Sequence, residues 1–210
     1  MKDQKLVILI HGLFMEKFSM KYFEYHLKKL GYKVENFQYS TYWFSAEKTF
    51  KRIDKIIQKY PNYSIYLVGH SMGGLVARGY IQNHLNHYPI DKIVTIGTPH
   101  QGSSIAKYLY NTRFKFILGR SGNSGLVKEL PSWNEECPIG CIAGISNIGI
   151  HFIFKKLHKK TGLNDGNVFV EEALLPNATD NITIRGSHSR LIFSKKVIEK
   201  CHQFLQNNHF

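Results

Sequence analysis

The sequence predicts an α/β fold with a doubly wound, mainly parallel sheet of about six strands, formed by a single domain over residues 1–210. Three observations predict it. Short continuous apolar runs, such as Leu6-Val7-Ile8-Leu9-Ile10 and Ile65-Tyr66-Leu67-Val68, suit strands buried on both faces. Segments with apolar residues three and four apart alternate with these runs along the chain. One run leads through Gly69-His70-Ser71-Met72-Gly73 straight into a helical pattern, which is G-x-S-x-G between a strand and a helix.

Each element follows in order. Leu6 to Ile10 is the first strand and ends in His11-Gly12-Leu13. Met20, Phe23, Leu27 and Leu30 form one helical face, and Gly31 is its C-terminal stop. Tyr32 to Tyr39 is a second strand. Ser45 caps a helix whose inner face is Phe50, Ile53 and Ile57, and Pro61 ends that region. Ser64 to Val68 is the third strand, and the helix after Ser71 buries Leu75, Val76 and Tyr80. Asp91 to Gly97 is the next strand, followed by a partly helical, aromatic stretch over Ile105 to Leu118. Gly119 to Gly125 reads as a turn and Leu126 to Leu130 as a short helix. Ile139 to Ala143 and Asn181 to Arg185 complete the strands, and Ser194 to Gln206 is the last helix, with Val197, Ile198, Cys201 and Leu205 inward.

A chain of 210 residues with 43% hydrophobic and 13% aromatic content can bury a sizeable core, which excludes disorder as its default state. Its charge is the unusual global feature: 28 Lys+Arg against 15 Asp+Glu, a net +13. Such a field favours anionic surfaces. No nucleic-acid module accompanies it, so no specific nucleic-acid partner is expected. The three cysteines (Cys137, Cys141, Cys201) have neither C-x-x-C nor metal-ligand spacing, and read as reduced thiols. No signal peptide or membrane-length apolar run is evident, which predicts a cytoplasmic location.

The G-x-S-x-G turn must hold Ser71 out at a strand end with its hydroxyl free. Side chains at positions 69 or 73 would strike the crossing backbone, so Gly69 and Gly73 are steric requirements. A serine hydroxyl becomes a nucleophile only when a base takes its proton, and the base needs an acid to orient it. Ligands of such sheets sit at the carboxyl ends of the strands, and that rule filters the candidates. Asp91 and Asp180 precede strands, whereas Asp165 follows one, in Asn164-Asp165-Gly166. Glu171 and Glu172 lie further along the same loop and are the weaker alternatives. His188 follows the last strand, whereas His202 falls in the final helix and His209 at the terminus. The order Ser71, Asp165, His188 is the one described for sheets bearing this strained turn. Oxyanion donors are expected from the backbone N–H of Met72, opening a helix, and of Leu13, in a loop shaped by His11 and Gly12. His11 itself is a poorer base than His188, by position.

These residues resemble a family. Leu6 to Leu13, G-H-S-M-G-G at 69–74, G-T-P-H-Q-G at 97–102, N-D-G-N-V at 164–168 and S-H-S at 187–189 are similar to a cap-poor α/β-hydrolase of the bacterial esterase/lipase type. The resemblance implies a minimal cap, Ser71 as nucleophile, His188 as base, Asp165 as its orienter, and Leu13 and Met72 as oxyanion donors. Many relatives carry a second glycine soon after H-G, whereas here Leu13 is followed by Phe14-Met15-Glu16. The expected activity is hydrolysis of carboxylic esters of small molecules or lipids through an acyl-enzyme on Ser71. Acyl transfer or thioester cleavage would use the same residues, and a non-catalytic lipid- or partner-binding descendant is the alternative of another class. No cofactor or metal is expected. The sequence carries no signal for an oligomeric state.

Two basic, aromatic stretches remain. Tyr108, Tyr110, Arg113, Phe114, Lys115 and Phe116 could imitate a nucleic-acid groove but read better as an acyl-pocket wall or short lid. Residues 150–160, I-H-F-I-F-K-K-L-H-K-K, fit weak peripheral contact with an anionic membrane surface, or else core packing beneath a solvated lysine row.

Overall fold

The computed structural model describes residues 4–84, 88–112, 118–120, 130–133, 136–146 and 161–210. Among them lie six strands: β1 (Gln4–Ile10), β2 (Lys33–Phe37), β3 (Tyr63–His70), β4 (Lys92–Ile96), β5 (Ile139–Gly144) and β6 (Asp180–Ile184). Their order across the sheet is β2-β1-β3-β4-β5-β6. Every neighbouring pair is parallel, so the sheet is wholly rather than mainly parallel. The helices are α1 (Lys21–Lys29), α2 (Ala46–Ile57), α3 (Met72–His84), α4 (Ser104–Tyr110), α5 (Val170–Ala173) and α6 (Lys195–Asn207), with 3-10 turns at Lys17–Met20 and His188–Phe193.

The strand pattern explains the layers. Along β1, Leu6, Ile8 and Ile10 face one side and pack with Phe50, Ile53 and Ile57 of α2 and Leu75, Val76 and Tyr80 of α3. Val7 and Leu9 face the other side, with Phe23 and Leu27 of α1 and Val197, Ile198, Cys201, Phe204 and Leu205 of α6. Alternation along a strand whose both faces are covered is why the run reads as continuously apolar. Removing such a side chain down to alanine typically costs about 2–5 kcal/mol.

The helix ends follow local chemistry. The Ser45 and Ser194 hydroxyls accept from the N–H groups of Lys48 and Val197, capping α2 and α6. At the end of α1, Gly31 N–H donates to Lys28 O and Tyr32 N–H to Leu27 O, the paired closure of a Schellman motif.

β3 runs two residues past Val68, because Gly69 and His70 stay in register with Ile10 of β1 and with Thr95 and Ile96 of β4. The partly helical stretch expected over Ile105 to Leu118 is described as α4, ending at Tyr110. The expected short helix at 126–130 (all but Leu130), Arg113, Phe114, Lys115 and Phe116, and the 150–160 segment lie outside the described residues. Among the described residues, no helix is long and apolar enough to cross a membrane.

The chain steps from β1 outward to β2, then returns to place β3 on the opposite side of β1. The winding direction reverses there, and such a switch point opens a crevice at the carboxyl ends of the two strands. Ile10 pairs with Gly69, so the loop after β1 and the turn after β3 emerge side by side.

Candidate active site

Ser71 occupies the single position between β3 and α3, with φ 54°. A non-glycine residue in this left-handed region is strained, and the surroundings enforce it. Its N–H donates to Ile96 O at 2.8 Å, and its carbonyl accepts from Gly74 N–H at 3.0 Å. A Cβ on Gly69 would lie 2.4 Å from Gly74 N, and one on Gly73 only 2.1 Å from Ile10 O. Both neighbours are backbone and cannot move aside. The turn is therefore as tight as the two glycines imply.

Asp165 and His188 meet. His188 Nδ1 lies 2.7 Å from Asp165 Oδ2, with Asp165 buried and His188 nearly so. Asp165 is held from several sides. Its Oδ1 accepts from the N–H groups of Asn167 (2.9 Å) and Val168 (2.8 Å), and its carbonyl accepts from His188 N–H at 2.8 Å. The turn itself is closed by Asn164 Oδ1, which accepts from Gly166 N–H. An ionised carboxylate only accepts, so the proton of the pair resides on His188 Nδ1 and Nε2 keeps a lone pair.

Ser71 and His188 line one cavity of about 220 Å³, open to solvent. Its apolar lining comes from Leu13, Phe14 and Met15 after β1, from Pro99, Ile105, Ala106, Leu109 and Leu118, and from Val168 near the Asp165 turn. Ser71 Oγ makes no hydrogen bond among the described residues. The wall is mainly apolar, which suits a hydrocarbon chain better than a charged ligand.

The alternative residues are spent elsewhere. Glu172 Oε1 accepts from Ser104 N–H at 2.9 Å and from the Ser104 hydroxyl, and its Oε2 accepts from Phe169 N–H. It thus ties the α5 region to the start of α4. Asp91 accepts from Ile65 N–H at the opposite sheet edge, and Asp180 accepts from Asn181 and Phe210 N–H. His202 Nδ1 bonds Tyr32 OH beside α1, and His209 is exposed at the terminus.

The loop after β1 has its own support. His11 is fully buried, its Nδ1 lies 3.0 Å from Gly12 O, and its ring stacks on Tyr39 at 4.6 Å. The Tyr39 hydroxyl donates to His11 O at 2.9 Å. Burial lowers the His11 pKa, so the ring stays neutral and structural. Phe14 adopts φ 56°, a conformation that glycine takes without strain. Its N–H donates to Thr41 Oγ1 at 3.3 Å. The N–H of Leu13 bonds to no described residue, and Met72 opens α3, where a helix has no internal acceptor to offer.

His70 was readable only as the variable residue of G-x-S-x-G. The structure gives it a partner: its Nε2 lies 3.1 Å from the carbonyl of His188, and the two rings lie 4.8 Å apart. A polar side chain ending a buried strand needs a partner somewhere, and that was the available signal. Arg78 was likewise missed. It is fully buried on α3, its Nη1 donates to His100 O at 3.1 Å, and its Nη2 donates to Pro131 O.

Among the described residues, no group of three or more His, Cys, Asp or Glu side chains could hold a metal ion. Cys141 and Cys201 are buried free thiols, and Cys137 is a half-buried one.

Residues 12–133 match the model of the class 3 lipase family, more than half of the chain. Triacylglycerol lipase 2 of Saccharomyces cerevisiae is 45% identical over 60 residues, covering 28% of this chain and 18% of that protein, so the match spans less than a fifth of the relative's length. The mature form of the Bacillus licheniformis lipase BlEst2 superposes with a TM-score of 0.68 at 18% identity, over 99% of this chain and 93% of that one. The lin2722 gene product of Listeria innocua superposes at 0.60 and 18% identity, over 98% and 95%. The fold is the α/β-hydrolase fold, and the chain belongs to the class 3 lipase family.

Proposed function

We propose that the protein hydrolyses carboxylic esters through an acyl-enzyme on Ser71. The observation that carries this reading is a strained turn presenting Ser71 into the cavity that His188, itself paired with Asp165 at 2.7 Å, also lines. His188 Nε2 takes the hydroxyl proton as Ser71 Oγ bonds to the ester carbonyl carbon. The carbonyl oxygen becomes an oxyanion and accepts from the N–H groups of Met72 and Leu13. The intermediate collapses, the alcohol leaves with the proton from His188, and water repeats the sequence to release the acid. Asp165 stays ionised throughout, orienting His188 and stabilising its imidazolium form. The apolar wall of Leu13, Pro99, Ile105, Ala106, Leu109 and Leu118 accepts the acyl chain, which makes lipid-like esters the favoured substrates.

A panel of p-nitrophenyl esters of increasing acyl length tests this. Turnover should depend on chain length and fall by several orders of magnitude in Ser71→Ala. His188→Ala should fall similarly, and the double variant little further, since the residues act as a unit. Equal turnover in wild type and Ser71→Ala would refute the proposal.

A further inference from the structure

We infer that His70 is a positioning residue for His188, fixing the base relative to the nucleophile. The inference rests on the serine-hydrolase reading above and extends it to a residue that the reaction itself leaves idle.

The geometry is specific. His70 immediately precedes Ser71 and is 1% exposed. The His188 carbonyl can only accept, so His70 Nε2 carries the proton and donates it, at 3.1 Å. His70 Nδ1 is then a bare acceptor, and it is buried with no hydrogen-bond partner among the described residues. Burial, reinforced by His188, drives the His70 pKa down to about 3, which keeps this neutral form through the working range of an esterase. The ring also lies against that of His188, at 4.8 Å and 46°.

The bond has a particular place. Ser71 Oγ makes no hydrogen bond to His188, so nothing links the two reacting side chains directly. Among the described residues, His70 to His188 is the one side-chain hydrogen bond between the β3–α3 turn and the loop carrying His188. The His188 main chain is thus gripped at both ends: its N–H by Asp165 O and its carbonyl by His70. A residue held one position before the nucleophile sets the reach from Ser71 Oγ to His188 Nε2. Fold stability alone does not explain a histidine here. The ring satisfies the His188 carbonyl yet leaves its own Nδ1 unpaired among the described residues, and such a buried nitrogen is costly.

The test is a three-member series: His70→Gln, His70→Asn and His70→Leu. Glutamine places its amide nitrogen near the Nε2 position, whereas asparagine reaches only to the Nδ1 position, which has no partner among the described residues. The expected result is kcat within about threefold of wild type for Gln, and a fall of roughly 10- to 100-fold for Asn and Leu, with KM little changed. The acidic limb of the pH–kcat profile should persist in His70→Gln, because His70 stays neutral there. The low-field proton resonance of the His188 Nδ1–Asp165 bond gives a readout without substrate. It should stay sharp in Gln and broaden in Leu. Full kcat in His70→Leu, equal losses in Gln and Leu, or loss of the acidic limb in His70→Gln would each overturn the inference. Absence of esterase activity in the wild type would refute the reaction instead, and the resonance would still decide whether His70 orders His188.

Discussion

Asp165 Oδ2 lies 2.7 Å from His188 Nδ1, and the other Asp165 oxygen is already committed to the N–H groups of Asn167 and Val168. The carboxylate therefore has one orientation available, and it passes that orientation to the imidazole. Asp165→Asn keeps the shape of the turn but can donate to Nδ1, which favours the wrong tautomer. Its kcat should fall by about 10⁴, whereas thermal stability changes little. Asp165→Ala should cost less than Ser71→Ala. Near-normal turnover in Asp165→Asn would move the acid elsewhere.

The Ser71 turn depends on backbone contact, and this separates two glycines sharply. Gly73→Ala places a methyl 2.1 Å from the Ile10 carbonyl and should abolish activity and folding at ordinary temperatures. Gly31, at φ +87°, has nothing within 4 Å of the added carbon. Gly31→Ala should therefore cost only the backbone strain, about 1–2 kcal/mol, and leave turnover intact. Chemical denaturation and ester turnover on the two variants check the contrast.

Much of this was legible in the residues, and the reasons differ by element. β1, β3 and β5 are buried on both faces, so their apolar runs announce them. The Ser71 turn is visible because Gly69 and Gly73 answer a steric demand that no other residue satisfies. Asp165 and His188 could be selected because strand ends place them on one edge. His70 could not be assigned its partner, because its contact joins residues 118 positions apart through a backbone carbonyl that leaves no mark in the sequence. Arg78 escaped notice for a similar reason: two of its acceptors are the main-chain carbonyls of His100 and Pro131, which leave no mark in the sequence. Phe14 conceals a left-handed turn behind a residue that does not advertise one.

Stability should fall on acidification over a defined window. Burial lowers the pKa of His70 to about 3 and of His100 to about 3. As pH drops below the ordinary histidine value near 6.5, the unfolded chain binds protons that the native state does not. The contribution of these two residues to unfolding free energy therefore declines from about pH 6.5 and levels off near pH 3. Each residue contributes roughly 1 kcal/mol per pH unit within that window. Denaturant titrations from pH 4 to 8 should show the slope, reduced in His70→Gln. A pH-independent midpoint would contradict the buried neutral histidines.

Arg78 offers a charge test. Its fork spans two carbonyls, and among the described residues no carboxylate faces it. Arg78→Lys keeps the buried charge but cannot span both acceptors, so it should cost about 3 kcal/mol. Arg78→Met loses the bonds but also the desolvated charge, and should cost less. Met more damaging than Lys, measured by denaturation, would show that the hydrogen bonds outweigh burial of the charge.

The central claim is that Ser71 is a nucleophile activated by His188. A fluorophosphonate probe reads this most directly, since Ser71 Oγ would bond to phosphorus and displace fluoride while His188 takes the proton. Intact-mass and peptide analysis should show one adduct per chain, on Ser71, absent in Ser71→Ala and formed at least a hundredfold more slowly in His188→Ala. No adduct on the folded wild type, or modification at another residue with Ser71 untouched, would contradict the account.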